Sequence, residues 1–472
     1  MKRIRFISSL SIALALVGCE DVVPPTSPDV SPVPQFARGG GQANMGINVL
    51  VDGPLSDDVM AELARHGSVM GRIDAIRAVF LVAPRDALSA VRALPFVTAA
   101  NADAQREAAP PLPPVQASDF AAGLSTWDLD AVDVTDLGAG RTVAQDGSGV
   151  YVGVLDTGLL TSWPYYLPSE RIVTELARSF GGGGAVGLGN VSIQPNKWAH
   201  DVRSHGTHVV STILGYRVGN AALNGVAPRA NVIPVKVLNN NGRGWSSVVS
   251  QGIVYLAELK AGALGGAPLV INMSLGGSAL DAVEQAAIDY AISLGVIVVA
   301  AAGNSGERGM SYPGGYPPVI SVGASGWGGE WVSGSSWWLS GDVADPTNAD
   351  DFYVTDFSGR ELPGQDLDVL APGSWVLGPY QVNIGQISYF FLGGTSQASP
   401  HVAGIVALMA QANAGLTAAD AESILESTAL PLGPGTLSVA TPFGTVEDIT
   451  WGADATGSGL ASAPAAIAAA GS

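Results

Sequence analysis

Val150-Tyr151-Val152-Gly153-Val154-Leu155-Asp156-Thr157-Gly158 is the stretch on which the reading of the chain turns. An apolar run with no polar alternation ends on a carboxylate and a glycine that permits a sharp turn. Runs of the same kind recur at 232–237, 269–273, 296–301 and 319–322. Strands that are apolar at every position are buried on both faces, which implies a parallel sheet covered by helices. Helical stretches at 247–260 and 280–293 fall between consecutive runs, as right-handed crossovers require. Sites in such sheets form beyond the carboxyl ends of the strands. Polar residues gather there: Asp156 closes one run, Ser274 follows another, and Asn304 stands three residues after a third.

Composition sets the outer limits. The 472 residues are 47% hydrophobic and 13% charged, which excludes a disordered chain and suffices for a large core. Lys plus Arg number 22 against 41 Asp plus Glu, a formal charge of −19. That shortage of cations argues against a phosphate backbone as partner, so no nucleic acid is expected. Cys19 is the single cysteine. A disulfide, a thiolate metal site and a cysteine nucleophile are thereby excluded downstream of it.

The chain opens on Met1-Lys2-Arg3-Ile4-Arg5, continues with an apolar stretch over 6–17 and reaches Gly18-Cys19. Residues 1–19 read as a secretory signal, too short to span a bilayer comfortably. Leu16-Val17-Gly18-Cys19 also resembles the bacterial lipoprotein box, which implies a lipid anchor of the precursor at Cys19; an ordinary signal with a chance cysteine is the alternative. Residues 20–45, rich in Pro, Ser and Gly, form a tether. Residues 46–105 place short β-like runs and amphipathic stretches in the order β-α-β-β-α-β, the pattern of a small α+β ferredoxin-like domain. Residues 106–124 make a second, Ala- and Pro-rich linker, and 125–472 hold the parallel-sheet domain.

Three segments carry chemistry, and each alone has a plainer reading. Asp156-Thr157-Gly158 supplies a strand-end carboxylate; an Asp-Thr-Gly also serves aspartic proteases, but they need a second copy and none is found. Ser204-His205-Gly206-Thr207-His208 offers two histidines at a helix start. A zinc site would want a third ligand and the glutamate of His-Glu-x-x-His, which is absent. Gly394-Thr395-Ser396-Gln397-Ala398 leads into an apolar helix. A serine there lies near unpaired backbone N–H groups and the positive end of the helix dipole, although a plain N-cap is the commoner role.

Taken in order, Asp, His, Ser, these segments resemble the subtilisin-like serine proteases, whose triad follows that order. The resemblance extends through Val226-Ala227-Pro228, Asn272-Met273-Ser274-Leu275-Gly276, Ala301-Ala302-Gly303-Asn304-Ser305-Gly306, Tyr312-Pro313-Gly314 and Leu370-Ala371-Pro372-Gly373. It implies a subtilisin-like three-layer α/β fold with a mostly parallel central sheet, preceded by a small propeptide domain. It implies Ser396 as nucleophile, His205 as base, Asp156 as the group that orients it, and Asn304 as oxyanion donor. Gly242-Arg243-Gly244 and Ser274-Leu275-Gly276 resemble the two segments that clasp an extended substrate. The 46–105 domain resembles the family's inhibitor propeptide, with its tail in the cleft and self-cleavage within 106–124; a permanent accessory domain is the alternative. The expected protein is a monomeric endopeptidase, secreted or held in the cell envelope of a bacterium, acting on proteins and peptides. No cofactor is required for the chemistry, and structural calcium is expected without ligands that can be named.

The chain departs from the family at several points. Gln397 replaces the methionine often found after the nucleophile, and 159–168 lacks an acidic residue often used for calcium. Residues 326–357 read as an insertion whose Trp327, Trp331, Trp337 and Trp338 line a subsite or form a private mini-core. Ser311 stands where a small residue floors the main specificity pocket, which suggests a pocket for large apolar side chains. Two other functions compete. A catalytically dead binding scaffold need not keep Asp156, His205, Asn304 and Ser396 together. A serine esterase usually shows Gly-x-Ser-x-Gly, which Gly394-Thr395-Ser396-Gln397-Ala398 does not fit.

Overall fold

The computed structural model describes residues 44–107, 115–116, 125–183 and 190–472. The signal and anchor expected at 1–19, and most of both linkers, lie outside the described residues. Residues 44–472 form one compact unit.

Its N-terminal part runs β1 (Asn44–Val51), α1 (Asp57–His66), β2 (Ser68–Ile73), β3 (Ala78–Pro84), α2 (Ala87–Arg92) and β4 (Val97–Ala102). The four strands pair antiparallel in the order β2-β3-β1-β4, the ferredoxin-like arrangement. β3 shows why its run is apolar on both faces. Val79, Leu81 and Ala83 point into this part's own core with Ile47, Val49 and Leu63. Ala78 and Phe80 point the other way and join a core cluster of the larger sheet domain. Residues 105–107 straddle the expected boundary with the linker and form a further strand, β5 (Gln105–Glu107), which pairs outside this sheet.

The larger sheet is built from β6 (Tyr151–Asp156), β7 (Arg178–Gly183), β8 (Asn190–Ile193), β9 (Asn231–Lys236), β11 (Leu269–Met273), β12 (Val296–Ala301), β13 (Ile320–Trp327), β14 (Phe352–Val354) and β15 (Val369–Pro372). β10 (Arg243–Trp245) stands apart and pairs with β5. Among the described residues the spatial order is β8-β7-β9-β6-β11-β12-β13-β14, with β15 also on β13. All pairs are parallel except the two with β8 and β14. Helices α4 (Ser246–Ala261) and α5 (Ala282–Ser293) cover one face; α3 (His205–Leu214) and α6 (Thr395–Ala412) cover the other. Along β11 the alternation is explicit, with Leu269, Ile271 and Met273 facing α4 and α5 while Val270 faces α3 and α6. Three layers result, and the central strands β11 and β12 are buried on both faces.

The Trp-rich insertion belongs to this architecture and is not a private core. Trp337 and Trp338 are buried in the same cluster as α6. Trp337 packs at 5.6 Å from Trp127 and Trp331 and at 5.9 Å from Phe391, and the end of the insertion supplies β14. Trp327 and Trp331, partly buried, pack against the same cluster, so the insertion extends the domain's own core.

Candidate active site

Asp156 ends β6 at the carboxyl edge of the sheet, where a backbone N–H of the following turn can reach it: Thr157 N donates to its Oδ1 at 2.6 Å. His205 begins α3, and its Nδ1 lies 2.8 and 2.9 Å from the two Asp156 carboxylate oxygens. The close approach of α3 to β6 needs glycine at 206. A Cβ there would fall 2.3 Å from Gly158 O and 3.2 Å from the Asp156 Cβ. Gly206 N instead donates to Thr157 Oγ1 at 3.0 Å. Burial pushes the imidazole toward its neutral form, but the adjacent Asp156 carboxylate outweighs it, so the His205 pKa is raised above 6.5. With Nδ1–H held by a carboxylate, Nε2 is the nitrogen left to act as base. It is buried and has no hydrogen-bond partner among the described residues.

Ser396 is the second residue of α6, and the plain N-cap reading fails for it. The N-cap is Gly394, with no side-chain cap bond. The Ser396 hydroxyl donates to Ser274 O at 3.2 Å, and Ser274 Oγ donates back to Ser396 O at 2.8 Å. Ser274 is held in turn by Asn272 Nδ2 at 3.0 Å. The structure therefore joins Asp156 to His205, and Ser396 to the end of β11, while the hydroxyl's hydrogen bond goes to Ser274 and not to the imidazole. Looser geometry before substrate binds is common at such sites. Asn304 is oriented by the helix mouth: its Oδ1 accepts from Thr395 N and Thr395 Oγ1, both at 2.9 Å.

The two expected clasp segments flank a strand of the chain itself. Gly242 (φ +74°) closes the turn before β10, its N–H on Asn239 O at 2.9 Å. β5 pairs antiparallel with β10, with Gly244 opposite Arg106. On the other side Glu107 exchanges backbone hydrogen bonds of 2.9 and 3.1 Å with Gly276. Leu275 between Ser274 and Gly276 is buried. Ser311 packs against this segment, since a Cβ on Gly276 would lie 2.7 Å from the Ser311 Cβ. An open cleft of about 720 Å³ lies beside the connection from β9 to β10, lined by Asp201, Lys236, Leu238 and Asn240.

Several contributors carry no local signal in the sequence. Asp201 Oδ2 accepts from Thr157 Oγ1 at 2.7 Å and braces the turn after Asp156. Asp103 accepts from Ser247 N at 3.1 Å and Ser247 Oγ at 2.6 Å, so it caps α4 from outside the helix. Asn101 does the same for α5 through Ala282 N at 3.2 Å. Arg106 is fully buried against Glu284 of α5.

The zinc reading of the two histidines does not survive. His208 Nε2 donates to Val376 O at 3.1 Å, and burial, with His205 second, lowers its pKa to about 3. His401, also buried, bridges Asp128 Oδ2 at 3.0 Å and Gln397 O at 2.9 Å. A cation could be held elsewhere. Asp366, Asp368 and Glu422 bring one carboxylate oxygen each within 4.8 Å of one another. Asp368 is buried, with Oδ2 taken by Ser321 and Oδ1 without a partner among the described residues. An all-carboxylate set with an orphaned oxygen fits a hard cation such as calcium.

A polarised imidazole, a serine at a helix mouth and an amide beside it serve nucleophilic acyl transfer, with the class of serine hydrolases as their owner. The comparisons narrow this. Residues 147–452, more than half of the chain, match the Subtilase family, and the chain belongs to that family. It is 31% identical to thermitase of Thermoactinomyces vulgaris over 284 residues, 60% of this chain and 82% of that protein. It is 34% identical to subtilisin DY of Bacillus licheniformis over 291 residues, 61% of this chain and 86% of that protein. The solved structure of fervidolysin from Fervidobacterium pennivorans, described as a keratinolytic enzyme related to subtilisin, matches with a TM-score of 0.63 at 22% identity. That match covers 92% of this chain and 62% of the fervidolysin chain, and at such identity it speaks to the fold. The chain is a subtilisin-type serine endopeptidase.

Proposed function

We propose that the chain is a secreted zymogen whose peptidase acts through Asp156, His205 and Ser396, and whose first cut is in itself. Ser396 Oγ attacks the peptide carbonyl as His205 Nε2 takes its proton. The oxyanion is met by the Asn304 amide and the Ser396 backbone N–H. The imidazolium then protonates the departing amine, and water releases the acyl group by the same relay. Asp156 holds Nδ1–H, fixes the tautomer and stabilises the imidazolium.

The observation that carries the reading is β5. A segment joined covalently to the N-terminal part lies between β10 and Gly276, hydrogen-bonded on both sides as an added strand. Substrates of an extended-strand cleft bind that way. An inhibitor that is also the first substrate would occupy this position. The apolar side of β3 and the two helix caps supplied by Asn101 and Asp103 support a part of the chain that templates the peptidase. A signal over 1–19, with Cys19 as lipid attachment point of the precursor, would bring the zymogen to the cell envelope. Self-cleavage would then free the peptidase from its anchor.

The test is the intact mass of the purified full chain beside its Ser396→Ala variant, incubated alike. The wild type is expected to lose about its first hundred residues and the variant none. Equal cutting of both, or of neither, would remove Ser396 from the role given to it here.

A further inference from the structure

Because β5 lies where a peptide substrate lies, its side chains display what the cleft accepts. Glu107 is opposite Gly276 in an antiparallel register. A substrate continuing that register has the residue two positions further on opposite Ser274, whose carbonyl accepts from the Ser396 hydroxyl. That residue carries the carbonyl facing the nucleophile. The position of Arg106 is then three residues upstream of it.

Arg106 is held as a recognised side chain would be. It is fully buried. Its Nε lies 3.0 Å from both carboxylate oxygens of Glu284, Nη2 donates to Glu284 Oε2, and Nη1 donates to Gln105 O at 3.0 Å. Glu284 projects from the first turn of α5 and is 1% exposed. Among the described residues it has no other ion-pair partner. Asp281, the N-cap of the same helix, adds a second negative charge nearby. One wall of the pocket is bare backbone: a Cβ on Gly277 would come 3.0 Å from Arg106 Nη1 and 2.1 Å from Gln105 O. Planar fork, facing carboxylate and a glycine wall make a slot shaped for a guanidinium.

When the tail leaves, Arg106 leaves with it, and Glu284 remains on the enzyme without its cation. We propose that Glu284 and the Gly277 wall form a substrate subsite selecting arginine three residues before the residue whose carbonyl is attacked. The proposal rests on the peptidase reading above and names a specificity determinant for it. An apolar side chain in the slot leaves the carboxylate buried and unpaired, the situation that gives strong discrimination. Lysine brings charge without the fork and falls between.

The test uses the full chain after self-processing, with the p-nitroanilides of Arg-Glu-Ala-Ala, Lys-Glu-Ala-Ala and Leu-Glu-Ala-Ala, and casein as a general substrate. The arginine peptide is expected to exceed the leucine peptide in kcat/KM by at least about tenfold, or ~1.4 kcal/mol, with lysine between. In Glu284→Gln that ratio is expected to fall below about threefold. Should the variant not fold, the wild-type ratio decides alone. Arginine and leucine peptides cleaved alike by the wild type, or casein digested with all three peptides untouched, would overturn the subsite and leave Arg106–Glu284 as a latch of the precursor. An unchanged ratio in Glu284→Gln would overturn the role of Glu284. A full chain that does not process itself and leaves casein whole would overturn the peptidase reading and the subsite with it.

Discussion

Replacing Gln397 by methionine probes the balance of forces beside the nucleophile. The Gln397 side chain is fully buried, and neither Oε1 nor Nε2 has a hydrogen-bond partner among the described residues. An amide desolvated without compensation costs about 1–3 kcal/mol. Methionine has similar length and volume and no amide to desolvate, and such swaps carry a repacking cost under about 1.5 kcal/mol. The balance favours Gln397→Met by about 1 kcal/mol. In a protein of this size the melting midpoint should rise on the order of 1–3 °C. Self-digestion would obscure the effect, so both sequences are compared in a Ser396→Ala background. Unfolding in denaturant, followed by tryptophan fluorescence, should slow by about fivefold if the gain falls wholly on the unfolding step. In the active enzyme the same change has a chemical cost. A thioether next to Ser396 is open to oxidation, so Gln397→Met should lose activity in millimolar peroxide while the wild type keeps it. A variant no more stable than the parent would mean that the amide is satisfied where it stands, and the argument from unpaired burial would fall.

Two further expectations concern protons and cations. Because burial works to lower the His205 pKa and the Asp156 carboxylate more than offsets it, kcat/KM should rise with pH through a midpoint above 6.5; a midpoint at or below that value would contradict the pairing. Burial raises Asp368 from 3.8 to about 8 and Glu422 from 4.5 to about 7. Folded values above unfolded ones mean that the native state binds the extra protons, so this cluster's contribution to stability is full below 3.8 and is lost as pH climbs toward about 8. A divalent cation would take the place of the protons. Millimolar calcium at the upper end of that window should therefore raise the melting midpoint of the Ser396→Ala protein, and raise it less in Asp368→Asn; equal shifts would place the cation elsewhere.

How much of this was legible depended on whether the signal was local. The runs at 269–273 and 296–301 coincide with β11 and β12, and those at 150–155 and 232–237 lie one residue from β6 and β9. Central parallel strands announce themselves because both faces are dry. The edges did not. β7 carries Gly181-Gly182-Gly183 and β14 has three residues, too short for any period to register. The placement of Asp156 and Ser396 was legible because a strand end and a helix mouth are themselves sequence features. Arg106 and Glu284 were not, since 178 positions separate them and each has an ordinary local role, one opening a linker and the other sitting in a helix. The cap of α4 was hidden for the same reason. Its own N-cap, Trp245, makes no side-chain cap bond, and the acceptor comes from Asp103 in another part of the chain.

That dispersal explains how the N-terminal part could hold tightly and still let go. Few of its apolar side chains, among them Ile73, Ala78 and Phe80, join the core cluster of the sheet domain. Much of the remaining attachment is polar, through Asn101 and Asp103 at two helix ends, and water can replace such caps at modest cost. While the chain is continuous these contacts act at the high effective concentration of a tether. Once the chain is cut they must hold as a bimolecular complex, and the contact water replaces least well is the buried Arg106–Glu284 pair. The persistence of inhibition after cleavage should therefore track that pair more closely than the caps. A substrate bringing its own arginine would compete for the same carboxylate, so latency and specificity would be set by one residue.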